Sequence, residues 1–501
     1  MAAISDFVWF WAFGGVLLVG VGVGELLRAR GWPGEASRRF VHAWTGLAVA
    51  GCPLLFDNPF WIYVLATGFI GVNLWAIPRG VFRGMHAIER QSLGTVVFPT
   101  ALLVALWACW TLDATRAFAL QTAFLVLALA DPVASLVGET LRRPGRFSMG
   151  GNTKSLAGTA AFFVTATLLA WSALVWLDPF AFTPAEYAAT ALLVAVLATG
   201  AELIGGKGWD NLTIVVAVIV PLVFLREAPG ELVSLAVALG WALAFGVLAY
   251  GARFLDLGGA IAASLLAFSV VGLGGWDWAL PGFAFFVLSS LLSKLGKRRK
   301  SAVVQAEKGS RRDAGQVYAN GGVAWLLLLV HVVAPQPWLY WGFVGAFAAA
   351  AADTWATEIG TWVRGATRSV WTWKPVAPGA SGGVSIAGTL GALAGAATVF
   401  APLPFVATAR LAEVGTGTAF AVVVLGGVLA SLLDSALGAT AQALYRDVRT
   451  RALTERAATG FDDDRVPNPL VRGWAWVTND RVNLAGTLAG AALVAVASLF
   501  L

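Results

Sequence analysis

The sequence predicts an all-α polytopic membrane protein, and three observations favour this fold class. Hydrophobic residues make up 58% of the 501 residues and charged residues only 12%, against about one quarter charged residues in soluble globular proteins. The mean hydropathy is +0.76. Apolar runs long enough to cross a hydrocarbon core of about 30 Å recur along the chain, without the alternation of membrane β-strands. We therefore expect roughly sixteen transmembrane helices, because helices satisfy their backbone hydrogen bonds within lipid.

The clearest candidate spans are apolar runs at residues 7–27, 156–177, 187–203, 232–250, 384–403 and 484–501. The first run is longer and more hydrophobic than a cleaved signal peptide, and no small-residue cleavage box follows it, so we expect it to be retained. Cys52 and Cys109 lie inside apolar runs, where they are typical of small core residues. Their spacing indicates neither a metal site nor a disulfide framework.

Basic residues gather in every second loop, and this pattern predicts the orientation of the chain. The basic loops lie at residues 28–39, 79–90, 142–154, 297–312, 364–374 and 446–481. By the positive-inside rule these loops are cytoplasmic and both termini lie outside. We expect an integral membrane protein of the bacterial inner-membrane type. Membrane orientation accounts for the net charge of +6, so we expect no nucleic-acid partner.

An acidic motif occurs twice. Residues 130–159 read ADPVASLVGETLRRPGRFSMGGNTKSLAGT, and residues 352–389 read ADTWATEIGTWVRGATRSVWTWKPVAPGASGGVSIAGT. Each copy has an aspartate at the end of an apolar segment, then a cationic link, a glycine pair and Ser-x-Ala-Gly-Thr. The repeat predicts two similar halves. The turn at Pro229-Gly230 is the expected seam, which gives domains 1–228 and 229–501.

The residue types in the repeat indicate phosphate handling. Asp131, Ser135 and Glu139 are spaced by four, as are Asp353 and Thr357, so each set lies on one helix face. Such a face can hold Mg²⁺, while glycines let backbone N–H groups approach phosphates and nearby cations neutralise charge. The candidate cations are Arg142, Arg143, Lys154, Arg364 and Lys374. Neither copy is a P-loop. A single aspartate there would be typical of a helix cap, but the repetition favours a site.

Each half also has an acid inside an apolar helix, Glu202 in the first and Asp434 in the second. A bare carboxylate is costly in the membrane, so each is expected to be paired or liganded. An Asp/Asn pair follows at a helix start in both halves, at Asp210-Asn211 and at Asn479-Asp480. Helix capping is the alternative interpretation of these pairs.

Residues from about 25 to 225 resemble the phytol kinase and dolichol kinase family. The matching residues are Arg39, His42 and Gly46, then His86, Arg90, Ser92, Gly94 and Thr95, then the Asp131 motif with Lys154, Ser155 and Gly158, and finally Glu202, Asp210 and Asn211. Ala130 stands where that family usually has glycine, and Pro132 follows the aspartate.

Residues from about 255 to 501 resemble the family of the phytyl-phosphate kinase of tocopherol synthesis. The matching residues are Lys308, Arg312, Asp313, Gln316, Val317 and Asn320, then 353–360, then Pro378, Gly379 and 382–385, then Asp434 and Ser435, and finally Asn479, Asp480 and Asn483. The run Gly-Ala-Ser-Gly-Gly at 379–383 replaces the more usual Gly-Thr-Asn-Gly-Gly.

These resemblances imply a fusion of two kinases that convert a prenyl alcohol, such as phytol or geranylgeraniol, first to the monophosphate and then to the diphosphate. CTP is the usual phosphate donor of the relatives, and Mg²⁺ is the expected ion. We expect the prenyl substrates to lie in the bilayer and both sites to face the cytoplasm.

The repeat and the resemblances together assign roles to three sets of residues. The catalytic set is Asp131, Glu202, Asp210, Asp353, Asp434 and Asp480. The nucleotide- and phosphate-binding set is Arg39, His42, Arg90, Lys154, Ser155, Gly158, Asn211, Lys308, Arg312, Gln316, Asn320, Lys374, Gly382, Gly383, Ser385, Asn479 and Asn483. The Mg²⁺-ligand set is Asp131, Ser135, Asp353, Thr357 and Glu358.

Two other functions fit part of this pattern. A cytidylyltransferase that moves CMP onto a lipid phosphate would use the same ion and nucleotide. A transporter would also have duplicated halves and intramembrane carboxylates. Against a transporter, the halves run parallel in the predicted topology and their polar motifs lie on one side of the membrane.

Overall fold

The computed structural model describes residues 5–79, 93–141, 143, 145–149, 152–300, 311–363, 365–459 and 465–501. The chain folds into two compact units, Met1–Leu239 and Gly240–Leu501, called unit 1 and unit 2. In the described residues both units are built mainly from helices, and the short strands lie in the segments that connect those helices.

The helices of unit 1 are α1 (Asp6–Ala29), α2 (Gly34–Gly51), α3 (Phe60–Ala76), α4 (Gly94–Leu106), α5 (Ala117–Thr140), α6 (Leu156–Leu177), α7 (Pro184–Ile204), α8 (Asp210–Glu227) and α9 (Leu232–Gly251), the last of which continues into unit 2. A π-helical turn, Trp107–Thr111, extends α4. A hairpin of β1 (Arg146–Met149) and β2 (Asn152–Ser155) joins α5 to α6.

Helix α5 lies at the centre of unit 1 and packs against α2, α6 and α8. Its apolar half, from Phe118 to Ala128, is largely buried. A Cβ added at Gly46 on α2 would lie 2.6 Å from the Cβ of Ala128. Small residues therefore let α2 reach the backbone of α5, as is common between membrane helices.

The helices of unit 2 are α10 (Leu257–Phe268), α11 (Trp276–Lys300), α12 (Ala314–Val333), α13 (Pro337–Val363), α14 (Ile386–Phe400), α15 (Leu403–Val406), α16 (Thr408–Val414), α17 (Thr416–Thr440) and α18 (Asn479–Ser498). The strands are β3 (Arg368–Ser369), β4 (Gly383–Val384), β5 (Leu444–Arg446), β6 (Leu453–Thr454), β7 (Ala458–Thr459), β8 (Val466–Pro467) and β9 (Leu470–Arg472). β3 pairs with β4, β5 with β6 and β9, and β7 with β8, all antiparallel.

Helix α13 is the central helix of unit 2 and packs against α11, α12, α14, α17 and α18. Every residue from 339 to 352 is buried. A Cβ added at Gly395 on α14 would lie 2.5 Å from the Ala351 carbonyl oxygen, and one at Gly490 on α18 would lie 2.5 Å from the Cβ of Ala349. This close packing of small residues ends at Asp353 and so holds that aspartate in a fixed place.

Within the described residues, eleven helices are long and apolar enough to cross a bilayer. Two shorter apolar helices, Phe60–Ala76 and Leu257–Leu273, add to them. The prediction of an all-α polytopic membrane protein is confirmed, whereas the count of sixteen spans is not. One reason for the difference is that helices such as α2 and α8 carry charged residues near their ends.

Candidate functional site

Both units build the same local structure around the repeated aspartate. In each, the aspartate-bearing helix leads into a two-stranded hairpin, and a serine at the end of the hairpin caps the next helix. Ser155 Oγ accepts a hydrogen bond from the Gly158 N–H at 3.1 Å, and Ser385 Oγ accepts one from the Gly388 N–H at 3.1 Å. The repeat in the sequence is thus a repeat in three dimensions.

The glycines of the Ser-x-Ala-Gly-Thr motif let the capped helix touch the aspartate-bearing helix. A Cβ added at Gly158 would lie 2.8 Å from the Ala134 carbonyl oxygen, and one at Gly388 would lie 3.1 Å from that of Ala356. Ala134 and Ala356 each follow the motif aspartate by three residues. The partly positive helix N-terminus is therefore next to the acidic face in each unit, where it favours a bound anion.

Unit 2 contains a polar cavity of about 570 Å³ at this place. The residues of the predicted site that line it are Arg312, Gln316, Asp353, Thr357, Glu358, Gly382, Gly383, Ser385, Asp434, Asn479 and Asn483. They come from five separate stretches of the sequence. Helices α12, α13, α17 and α18 and the β3–β4 loop thus converge on one site.

Two aspartates face each other in the cavity of unit 2. The carboxyl groups of Asp353 on α13 and Asp434 on α17 lie within hydrogen-bonding range of one another. Helix α18 closes the far side, since a Cβ added at Gly486 would lie 3.3 Å from Asp434 Oδ2. Two carboxylates this close disfavour joint ionisation unless a cation lies with them.

This pair fits Mg²⁺. The ion prefers oxygen ligands and is commonly held by one or two carboxylates together with water and substrate phosphates. Within the described residues, no group of three or more His, Cys, Asp or Glu side chains is arranged around a common metal position. The remaining ligands would therefore be hydroxyls such as that of Thr357, water, or phosphate oxygens.

Arg312 brings a partly buried positive charge to the same cavity. Its guanidinium interacts electrostatically with Glu358, and Glu358 Oε1 accepts a hydrogen bond from Ser293 Oγ at 2.8 Å. Burial lowers the pKa of Arg312 from its ordinary value, and the Glu358 carboxylate opposes that shift. Glu358, predicted as a metal ligand, is thus engaged with Ser293 and Arg312.

A network of amide and carboxyl groups forms another part of the wall. Gln442 Oε1 accepts from Ser381 Oγ at 2.7 Å, and Gln442 Nε2 donates to Glu455 Oε1 at 2.8 Å and to Asn479 Oδ1 at 3.5 Å. Burial raises the pKa of Glu455, with Gln442 opposing and Asp480 adding to the shift. Sequence reasoning missed Gln442 and Glu455, because neither lies in a repeated motif.

Glu455 belongs to a folded segment between α17 and α18 that contains β5 to β9. Asp447 organises this segment by accepting hydrogen bonds from Thr459 Oγ1 at 2.6 Å and from the N–H groups of Thr450 and Arg449 at 2.7 and 2.9 Å. These bonds lower the pKa of Asp447 to about 2. The ionised carboxylate thus fixes the loop that carries Glu455.

One glycine of the predicted pair is required by geometry. Gly382 has a φ of +81°, and an added Cβ would lie 2.5 Å from the Cβ of Ala439 on α17. Any larger residue would strain the backbone and push α17 away. Gly382 therefore holds the loop against the helix that carries Asp434.

A smaller apolar cavity of about 60 Å³ shares two residues with the polar one. Arg312 and Gln316 line both cavities. Asn320 lines only the apolar cavity, and its Nδ2 donates to the Gln316 carbonyl oxygen at 2.9 Å.

Some residues of the predicted site lie elsewhere. Lys374 is exposed in the β3–β4 loop and does not line the polar cavity. Asp480 does not line it either, although it interacts electrostatically with Glu455. Arg90, Arg142, Lys308 and Arg364 fall outside the described residues.

In unit 1 the acidic face carries its own cations. Arg39 Nε donates to Ser135 Oγ at 3.1 Å, and the Arg39 guanidinium pairs with Glu139. Ser135 Oγ in turn donates to Glu139 Oε1 at 3.2 Å. His42 Nε2 lies 3.9 Å from Asp131 Oδ2 and donates to the Leu127 carbonyl at 3.1 Å.

The embedded acid of unit 1 is paired within the protein. The Lys154 ammonium pairs with the Glu202 carboxylate and donates to the Glu202 carbonyl oxygen at 2.8 Å. Asp210 interacts electrostatically with Asp131 and Lys154. In unit 2, Val384 precedes the capping serine, so the lysine has no counterpart there. The embedded acid is thus paired with a lysine in unit 1, whereas in unit 2 it lies next to a second aspartate.

Two further predicted residues of unit 1 are Asn211 and Arg143. Asn211 Nδ2 donates to the Gly94 carbonyl oxygen at 3.3 Å, which ties the start of α8 to the start of α4. Arg143 is exposed.

Comparison with known proteins places unit 2 in a family. The family described as "Integral membrane protein DUF92" matches residues 240–491. The chain is 29% identical to Protein PGR of Arabidopsis thaliana in an alignment 277 residues long. The alignment covers 50% of this chain and 92% of that protein.

Two microbial proteins are also similar. One is an uncharacterized membrane protein of Synechocystis, 29% identical over 223 residues, which cover 44% of this chain and 73% of that one. The other is an uncharacterized membrane protein of Methanocaldococcus jannaschii, 30% identical over 189 residues, which cover 37% and 74%. No solved structure matches the chain significantly. Because the family match spans half of the sequence, the chain belongs to the integral membrane protein DUF92 family.

Proposed function

We propose that the protein is a prenol and prenyl-phosphate kinase, in which unit 1 phosphorylates a prenyl alcohol and unit 2 adds a second phosphate to the product. CTP is the proposed donor and Mg²⁺ the proposed ion. The observation that carries the proposal is the cavity of unit 2, where an aspartate pair, a partly buried arginine and a capped helix N-terminus converge.

The chemistry of phosphoryl transfer matches what these groups can supply. The reaction needs alignment of donor and acceptor together with neutralisation of charge, and little covalent chemistry from the protein. Asp353 and Asp434 would hold Mg²⁺, which offsets the charge of the nucleotide phosphates. The backbone at Gly383 and the N-terminus of α14 would bind phosphate oxygens.

The acceptor of unit 2 is already an anion, so it requires a cation more than a base. Arg312 supplies that cation at the wall of the cavity, where it interacts electrostatically with Glu358, which is itself hydrogen-bonded to Ser293. The volume of about 570 Å³ lies within the range of about 300–1,000 Å³ usual for small-molecule sites.

The acceptor of unit 1 is a neutral alcohol, which must lose a proton during transfer. Asp210 and Asp131 are the carboxylates proposed to hold Mg²⁺ and to accept that proton. Lys154 neutralises Glu202 and lies close enough to Asp210 to interact with it electrostatically. We place both sites at the cytoplasmic face, because the basic loops adjoin them.

Product analysis with labelled nucleotide tests the proposal. Purified protein in nanodiscs is supplied with geranylgeraniol, Mg²⁺ and CTP labelled on the γ-phosphate. A kinase puts label into the lipid, whereas a cytidylyltransferase releases labelled pyrophosphate. We expect Asp353→Asn to accumulate labelled monophosphate and Asp131→Asn to form no lipid product from the alcohol.

The matched control is Arg446→Ala, which removes an exposed charge on β5 of unit 2, outside the cavity. It should retain both steps. Full diphosphate formation by the Asp353→Asn protein would contradict the assignment of unit 2, and an absence of lipid label with the wild-type protein would contradict the kinase proposal.

A further inference from the structure

The apolar cavity of unit 2 has a position that suggests a role in acceptor binding. We propose that it is the tail subsite for the acceptor, and that it encloses only the isoprene unit next to the phosphate while the rest of the tail lies in the bilayer. This inference rests on the proposed function, whose second acceptor is an isoprenoid monophosphate.

The first argument is continuity between the two cavities. Arg312 and Gln316 line both of them. A ligand placed across this junction has its anionic head at the Arg312 guanidinium and its apolar end among the helices. An amphiphile with a phosphate at the end of a slim tail has this arrangement of charge and apolar surface.

The second argument is the chemistry of the lining. Apart from the residues at the junction and Asn320, the wall consists of apolar side chains and glycine. Phe245 contacts Phe283 and Phe286 edge to face, with ring centroids 5.4 and 5.1 Å apart. Such rings offer a flat apolar surface to an alkene, and burial of that surface is favourable.

The third argument is size. One buried water molecule needs about 10–15 Å³ of cavity volume. The cavity volume of about 60 Å³ therefore accommodates roughly four to six non-hydrogen atoms. One isoprene unit has five carbon atoms. A longer tail therefore has to leave the cavity, and unit 2 should discriminate by the bulk of the first unit more than by total chain length.

Glycines in the wall pack closely against other lining residues. A Cβ added at Gly321 would lie 2.7 Å from Leu266 Cδ1, and one at Gly282 would lie 3.2 Å from the ring of Phe347. Ala267 lines the cavity and is itself buried. A larger side chain at position 267 would occupy the space assigned to the isoprene unit.

The test compares acceptors and cavity variants in the full-length protein. Geranyl, farnesyl and geranylgeranyl monophosphates are assayed with CTP and Mg²⁺ in nanodiscs. For the wild type we expect kcat/KM values within about tenfold of one another, because only the shared first unit is enclosed. For Ala267→Phe we expect the acceptor KM to rise about 10- to 100-fold, with the KM for CTP unchanged.

A second variant covers the case in which Ala267→Phe fails to fold. Phe283→Ala enlarges the cavity, so cinnamyl monophosphate, which has a phenyl ring in place of the slim tail, should become a better acceptor than it is for the wild type. Phe405→Ala is the matched control, because Phe405 is 84% exposed and lies outside the cavity. It should leave all acceptor KM values unchanged.

The outcomes separate the two proposals. If the wild type phosphorylates no prenyl monophosphate, the proposed function is wrong. If it does so while Ala267→Phe and Phe283→Ala leave acceptor selection unchanged, the tail subsite is wrong and the kinase assignment stands. A kcat/KM that rises steeply from geranyl to geranylgeranyl monophosphate would also overturn the proposed subsite, because such a rise would require a longer enclosed groove.

Discussion

Replacing Asp434 with asparagine should stabilise the metal-free protein and abolish its response to Mg²⁺. Asp353 and Asp434 place two carboxyl groups within hydrogen-bonding range inside the helix bundle. An asparagine at position 434 removes one of the two acids and can donate a hydrogen bond to the Asp353 carboxylate.

The size of the effect follows from electrostatics. Two like unit charges about 4 Å apart repel by about 4 kcal/mol at an effective dielectric constant of about 20. Proton sharing relieves part of that repulsion, so we expect a gain of about 1–4 kcal/mol in the free energy of unfolding. Because 1 kcal/mol moves the midpoint of a domain of this size by about 2–4 °C, the gain of about 1–4 kcal/mol should raise the unfolding midpoint in chelator by roughly 2–16 °C.

The assay is thermal unfolding in nanodiscs with EDTA and then with Mg²⁺. The wild type should gain stability with Mg²⁺ through preferential binding to the folded state, and Asp434→Asn should not. The matched control is Glu413→Gln, an exposed carboxylate on α16, which should keep the Mg²⁺ response. A variant that is less stable than the wild type in EDTA and still responds to Mg²⁺ would refute the reasoning.

Three further predictions concern folding. Gly382→Ala should lower the free energy of unfolding by about 2–5 kcal/mol, from left-handed strain plus overpacking. Gly415 has a similar φ of +86°, but a Cβ added there would meet its nearest neighbour, Thr418 Oγ1, at 3.6 Å, which is ordinary van der Waals contact. Gly415→Ala should therefore lower the free energy of unfolding by only about 1–2 kcal/mol, and equal losses in denaturation experiments would contradict this. The pKa of Asp447 is lowered to about 2, so its stabilising effect is complete above about pH 4 and is lost as the pH falls toward about 2. Hydrogen exchange of residues 441–459 and 465–478 should show this loss in the wild type and not in Asp447→Asn. Lys154→Met should lower the free energy of unfolding of unit 1 by about 3–5 kcal/mol, because it leaves the buried Glu202 carboxylate unpaired. Adding Glu202→Gln should restore most of that stability, and no recovery in the double variant would show that the loss of the pair is not the cause.

Much of the fold could be predicted from the sequence because long apolar runs and their boundaries carry the signal. The run at 156–177 coincides with Leu156–Leu177, since Ser155 caps its start and Asp178 ends it in a left-handed conformation. The strands of the β1–β2 hairpin were harder to foresee, because they are short and polar.

The candidate site could be predicted as a set of residues but not as a set of contacts. The repeat singled out Asp353, and membrane burial singled out Asp434, yet their proximity depends on the packing of α13 against α17. A carboxylate inside an apolar helix predicts a partner for Glu202, and the structure identifies it as Lys154. Glu455 could not be found, because it lies in an irregular segment without periodicity.

A cryo-electron microscopy structure with Mg²⁺ and a non-hydrolysable CTP analogue would test the central claim most directly. We expect the nucleotide phosphates in the polar cavity beside Ser385, with metal density between the carboxylates of Asp353 and Asp434. Nucleotide bound outside this cavity, or a bound nucleotide with no metal at the aspartate pair, would contradict the account.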